Sequence, residues 1–298
     1  MTNAVNPHPT ARFIAPCYIG LPMWSDPGWP KAWFGDSRSR QRPLHHYANQ
    51  LNSVEGNTTF YALPGENTVA RWNNETGPDF RFTFKFHQAI SHRPGGLTNH
   101  DDIQAQLALL HPLAEKTGCL MLQLPATFGP QALPALEVFL SQLPRTFHYA
   151  VEVRHPAFFD KDTHEIALNR LLIRYEVNRV IMDTRALFTG PSDSALTAEV
   201  REKKPRVPVH AIATGNQPIV RFVAGNDNAA NEHCMTPWLA RCHAWREEGK
   251  TPFLFFHKPD NHLAPWLADR FIERYNALYP DVALPRLSFI AESQGNLF

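Results

Sequence analysis

Six charged residues stand out by their position. Glu55, Lys85, Glu152, Arg154, Asp183 and Arg221 each lie within or just past a short apolar run, most of them toward its end. A lysine inside a fold is costly to bury unless it is paired. Lys85 therefore reads as an anchor for a phosphate or carboxylate, as a desolvated amine able to form a Schiff base, or as half of a structural ion pair with Glu55 or Glu152. Glu55, Glu152 and Asp183 are candidate general acids and bases, because carboxylates divide those roles when their surroundings push their pKa values apart. The bland alternative is charge balance for Lys85, Arg154 and Arg221. The two arginines suit bidentate recognition of an anion. His155 and His257 close two of the runs, where an imidazole can carry protons. Asn57 and Gln123 add neutral hydrogen-bonding groups. Trp24, with Trp29 and Trp33, follows the first run and can lid a pocket or stack on a sugar; the alternative is a packed N-terminal loop.

The runs that must position these residues number eight: Tyr18-Ile19-Gly20, Val54-Glu55, Phe82–Phe86, Leu120–Leu124, Ala150–His155, Val180–Asp183, Ile219–Phe222 and Phe253–His257. A helical pattern follows each, weakest in the sixth unit, where Ser194–Lys203 is a short candidate. Eight strand–helix units predict an α/β chain folded as a closed TIM-type (β/α)8 barrel, with a site on its C-terminal face. Within Phe82–Phe86 the three phenylalanines share one side, and Thr83 and Lys85 share the other. Helices cover the outside of such a barrel, so Lys85, Glu152 and Arg154 are expected to point inward, with Gln123, Asp183 and Arg221 able to join them.

The helices carry their own punctuation. Asp101 and Asp102 precede a stripe of Ile103, Leu107, Leu110 and Ala114 that Gly118 is expected to end. Asp162 and Glu165 have capping-box spacing. Thr236-Pro237 is expected to open a helix that Gly249 closes, and Pro265 to open the last, which Pro280 stops.

The chain has 298 residues, enough for one barrel of roughly 250 residues with extensions. Residues 1–16 read as an N-terminal extension, 17–279 as a single barrel domain and 280–298 as a tail. The net charge of +1 excludes a global attraction to nucleic acid or anionic membranes. No apolar stretch has signal-peptide or membrane-spanning character, and the four cysteines are dispersed, which fits a reduced cytoplasm. The pattern His233-Cys234 … Cys242-His243 reads as helix rather than a zinc site. A metal set drawn from Glu55, Glu152, Asp183, His87, His92, His155 and His257 lacks local ligand spacing and has cations beside it, so no metal is assigned. Lys203-Lys204-Pro205-Arg206 reads as a solvated loop.

The blocks Val54–Pro64, Phe80–Phe86, Leu122–Pro125 and Val151–Pro156 resemble signature blocks of the YecE-like family, named for a domain of unknown function. The resemblance runs from about Tyr18 to Tyr279. It is closest to enterobacterial members, including Lys203-Lys204-Pro205 and Phe256–Asp260. It implies a (β/α) barrel and no particular reaction. Many relatives carry Asn-Asn-Asp where this chain has His257–Asn261, and Gly-Thr/Cys-Ser-Gly-Trp where it has Gly20-Leu21-Pro22-Met23-Trp24.

Together these features predict an enzyme using acid/base chemistry on a small polar anionic molecule, sugar-like and phosphorylated or carboxylated. The cofactor is unknown, and isomerase, lyase and hydrolase chemistry all stay open. A non-catalytic ligand-binding barrel is the plainer alternative. A DNA-transaction accessory protein is the other alternative, because Gln294-x-x-Leu297-Phe298 resembles the peptide by which bacterial proteins dock on the replicative sliding clamp. In that reading Leu297 and Phe298 fill an apolar pocket and Gln294 bonds at its rim. The alternative is a tail folded onto its own barrel.

Overall fold

A computed structural model of the chain describes residues 14–29, 33, 41–192 and 194–289. Eight parallel strands, β1 (Tyr18–Gly20), β2 (Ser53–Gly56), β3 (Arg81–Lys85), β4 (Thr117–Gln123), β5 (Tyr149–Glu152), β6 (Asn178–Asp183), β7 (Ile219–Val223) and β8 (Phe253–His257), pair in the order β1-β8-β7-β6-β5-β4-β3-β2. A principal helix follows each strand: α1 (Pro43–Ala48), α2 (Glu66–Glu75), α3 (His100–Leu110), α4 (Leu133–Ser141), α5 (Thr163–Arg174), α6 (Ala195–Lys203), α7 (Asn228–Glu247) and α8 (Ala264–Leu278). This is the TIM-type (β/α)8 barrel.

Closure falls between β1 and β2, and side chains make much of it. Backbone pairing there is carried by the Glu55 N–H, which donates to the Leu21 carbonyl at 3.0 Å. The Asn52 carboxamide accepts from the Ile19 N–H at 2.8 Å and donates to the Cys17 carbonyl at 2.9 Å. The buried Tyr47 hydroxyl accepts from the Leu21 N–H and donates to the Ser53 carbonyl, both at 2.8 Å. A Cβ on Gly20 would stand 2.3 Å from the Ser53 carbonyl oxygen, so only glycine lets the two strands approach this closely.

Two apolar layers follow from strand alternation. Outside, Phe82, Phe84 and Phe86 meet the helices: Phe84 stacks on Trp72 of α2, and Phe86 packs edge-on against Phe139 of α4. Inside, Cys119, Met121, Ala150, Val180, Ile219, Phe253 and Phe255 fill the lower barrel with Tyr18.

Two expectations need correction. Gly118 does not end a helix; it lies within β4, where a Cβ would strike the Phe253 ring at 2.5 Å. The stripe ends earlier, α3 stopping at Leu110 before a short 3-10 turn. Pro237 does not open α7 but lies inside it. Asp227 is the cap, accepting from the Ala229 and Ala230 N–H groups, and nine buried residues from Ala230 to Arg246 hold the helix through the lost hydrogen bond. The described part of the tail packs on the barrel: Leu284 and Leu287 are buried and Arg286 pairs with Asp269 of α8. Gln294, Leu297 and Phe298 lie outside the described residues. No described helix is long and apolar enough to cross a membrane.

Candidate active site at the barrel mouth

The last inward positions of five strands converge. β2 supplies Glu55, β3 Lys85, β4 Gln123, β5 Glu152 and β7 Arg221, and His257 ends β8. Lys85 is held at its backbone. The Thr59 hydroxyl accepts from its N–H and donates to its carbonyl, and the buried Gln106 carboxamide on α3 donates to the same carbonyl at 2.8 Å.

Arg221 organises the charges. It chelates Glu55 and reaches Glu152 Oε2 at 2.5 Å. Arg154 holds the other Glu152 oxygen at 2.8 Å through both Nε and Nη2. His257 donates from Nε2 to Glu55 Oε2 at 3.1 Å. Both carboxylates are thus occupied before Lys85 is reached. Its ammonium donates to the Gln123 carbonyl oxygen at 2.8 Å, lies 3.8 Å from Glu55 and sits over the Phe60 ring.

The electrostatics follow from this wiring. Burial pushes the Glu55 carboxyl up, but Arg221, His257 and Lys85 outweigh it and hold the group well below the usual carboxylate range. Glu152 feels the same opposition between burial and its cations and falls to about 2. Burial and then Arg221 pull Lys85 down to about 8, with Glu55 and Glu152 only partly restoring it. Burial takes His257 to about 4 despite Glu55, so it is neutral at pH 7. Neither glutamate is the raised carboxyl that a general acid requires.

Lys204 is the residue that sequence reading missed. It follows α6 in the loop taken to be solvated, and Lys203 does stay outside, paired with Glu199. Lys204 instead lies near enough to the mouth for Arg221, Glu55, Glu152, Lys85 and His257 all to act on it electrostatically. Burial first, then Arg221, lowers it to about 7. The residue as a whole stays partly exposed, while its ammonium end is packed round by protein and has no hydrogen-bond or ion-pair partner among the described residues. A signal existed: Pro205 disfavours helical geometry at Lys204, so its side chain must leave the face of α6. His92 is a second rim residue, lowered chiefly by burial and also by Arg154.

Other expected site residues lie elsewhere. Asp183 faces outward, not into the mouth: it accepts from the Trp238 indole of α7 and from Arg185, each at 2.8 Å. Trp24 does not lid a pocket but packs edge-on against Trp72 of α2. Trp29 and Trp33 are buried against Tyr47, the packed-loop alternative. His155 caps a 3-10 turn, its Nδ1 accepting from the Ala157 N–H. Asn57 ties the loop after β2 to the Pro22 carbonyl at 3.0 Å. Among the described residues no group of three or more His, Cys, Asp or Glu is placed to hold a metal.

The fold and this geometry can be set beside known proteins. The family model described as "Protein of unknown function DUF72" matches residues 18–288. The UPF0759 protein YecE of Escherichia coli K12 is 43% identical over 272 residues, covering 91% of this chain and 97% of that one. A crystal structure of a DUF72 family protein from Enterococcus faecalis superposes with a TM-score of 0.64 at 20% identity, covering 89% of this chain and 99% of the other. One from Thermotoga maritima gives 0.62 at 18% identity, covering 87% and 98%. These two support the barrel alone. With the family model spanning nearly the whole barrel, the chain belongs to the DUF72 family.

Proposed function

We propose that the barrel mouth is the active site of an enzyme acting on a small anionic molecule, one that carries a phosphate or a carboxylate. The observation that carries this reading is the engagement of both glutamates by Arg221. Four cations, Lys85, Arg154, Lys204 and Arg221, face two carboxylates, Glu55 and Glu152, so the mouth is short of negative charge. A bound anion would supply it. Arg154, with 19% of its side chain exposed, is the accessible donor, and the ammonium groups of Lys85 and Lys204 are the buried ones. Proton donation in this site falls to the amines, because both carboxyls are held ionised.

The test is thermal shift of the full chain with inorganic phosphate, sugar phosphates and small carboxylates, because binding to the folded state alone raises apparent stability. A concentration-dependent rise that Lys85→Met reduces supports the reading. Unchanged shifts in that variant remove Lys85 as an anion anchor. A shift without turnover of any compound would make the barrel a binding protein.

A further inference from the structure

We infer that Lys85 is an imine-forming amine and that the molecule it takes is a small aldehyde or ketone bearing the anionic group. The inference rests on the anion reading of the mouth and adds the reacting function.

Three arrangements carry it. First, the counter-ions of Lys85 are committed elsewhere. Arg221 takes both oxygens of Glu55 at 2.7 and 2.8 Å, whereas Lys85 stands 3.8 Å from the same group. Its close partner is the neutral Gln123 carbonyl oxygen at 2.8 Å. A lysine kept for a structural ion pair would hold a carboxylate at contact distance. A buried amine in the same cluster as Arg221, with no carboxylate at contact distance, is instead set up as a nucleophile. The lowered proton affinity of Lys85 agrees with this.

Second, the strand end is fixed. Thr59 and Gln106 tie down the Lys85 backbone from two elements, leaving the side chain as the moving part. Third, a second amine lies close enough to the cluster to feel its charges. Lys204 has no ion-pair partner among the described residues and lies within electrostatic reach of Lys85.

The chemistry balances without an oxidant or reductant. The Lys85 ammonium first gives up one proton to water; the freed nitrogen lone pair then forms a bond to the carbonyl carbon, and the C=O π pair moves to oxygen. That oxygen takes a proton from the Lys204 ammonium, and the new C–N nitrogen returns one to Lys204. The neutral carbinolamine hydroxyl is then protonated by Lys204 and leaves as water while the nitrogen lone pair forms C=N. The products are a protonated imine on Lys85, one water and a neutral Lys204.

The probes are glyoxylate and pyridoxal 5′-phosphate, each added to the full chain with sodium borohydride, which reduces an imine to a stable secondary amine. Intact mass and peptide mapping read the adduct. The expected result is one adduct on Lys85, formed before surface lysines react and suppressed by inorganic phosphate. Lys204→Gln, at a partly exposed position, should slow capture by about a hundredfold, the range of a lost proton donor. Lys85→Arg should keep the charge and lose the adduct. Adducts scattered over surface lysines with Lys85 unmodified would overturn the inference. If phosphate still raises the melting temperature in that case, the anion reading survives and only the covalent step is wrong; if phosphate does nothing either, both fall.

Discussion

Arg221 and Glu55 join β7 to β2 through two parallel hydrogen bonds, Nε–H to Oε2 at 2.8 Å and Nη2–H to Oε1 at 2.7 Å. The pair is buried, and Glu152 hangs on the same guanidinium. Removing the arginine strands two carboxylates away from water. Arg221→Met is therefore expected to cost about 3–5 kcal/mol in urea unfolding, the usual result of breaking a buried pair from one side. Arg221→Lys should also lose much of this, because an ammonium cannot chelate a carboxylate. A loss under about 1 kcal/mol would mean that Arg154 and Lys85 can replace it.

Stability should depend on pH at both ends of the range. Glu152 titrates at about 2 in the fold against an ordinary 4.5, so its contribution is full above 4.5 and is lost as pH falls toward 2. Glu55 acts in the same direction. Lys85 behaves oppositely. Between about 8 and its ordinary 10.5 the unfolded chain binds more protons than the fold, so stability should rise with pH across that window. Urea midpoints measured from pH 2 to 10.5 check both limbs, and Lys85→Met should flatten the alkaline one.

Anion affinity should weaken as pH rises past 7 to 8, where Lys204 and then Lys85 lose their charge. Lys204→Gln and Arg154→Gln should each weaken phosphate binding by roughly tenfold, the loss of one charge-assisted hydrogen bond. Titration calorimetry at pH 6.5 and 9 measures this. Equal affinity at the two values would contradict the assignment of the amines as anion donors.

Tyr47→Phe removes a hydroxyl that serves the Leu21 N–H and the Ser53 carbonyl at once. With both backbone groups buried, about 2–6 kcal/mol should be lost, since each unsatisfied group costs about 1–3 kcal/mol. Hydrogen exchange at Leu21 should accelerate well beyond that of the β6–β7 ladder.

The C-terminal Gln294-x-x-Leu297-Phe298 sequence allows a direct check of sliding-clamp docking. A pull-down with purified clamp should retain the intact chain and release one lacking Gln294–Phe298. Equal retention, or none, would remove the idea.

Much of the barrel was legible because alternation in its strands is legible. Phe82, Phe84 and Phe86 had to share the helix-facing side, which left Lys85 inside, and the same parity placed Glu152 and Arg221. Asp183 failed where that signal fails. In Val180-Ile181-Met182 both faces are apolar, so nothing in the strand told which way its last residue turned, and Trp238 drew it outward. Lys204 was missed for a different reason. Its position depends on the path of a loop, and a basic run reads the same whether it faces solvent or folds back. The seam residues Asn52 and Tyr47 were equally hidden, since they act on backbone groups far from them in sequence.

A cylinder joined by side chains along one line has a preferred place to part. In this chain that line passes beside Glu55, whose own amide hydrogen forms part of the join. Loosening there would tilt the Glu55 carboxylate, and Arg221 would have to follow or let go. Any breathing of the barrel wall at this line would therefore reach the Glu55–Arg221 pair through a single peptide group.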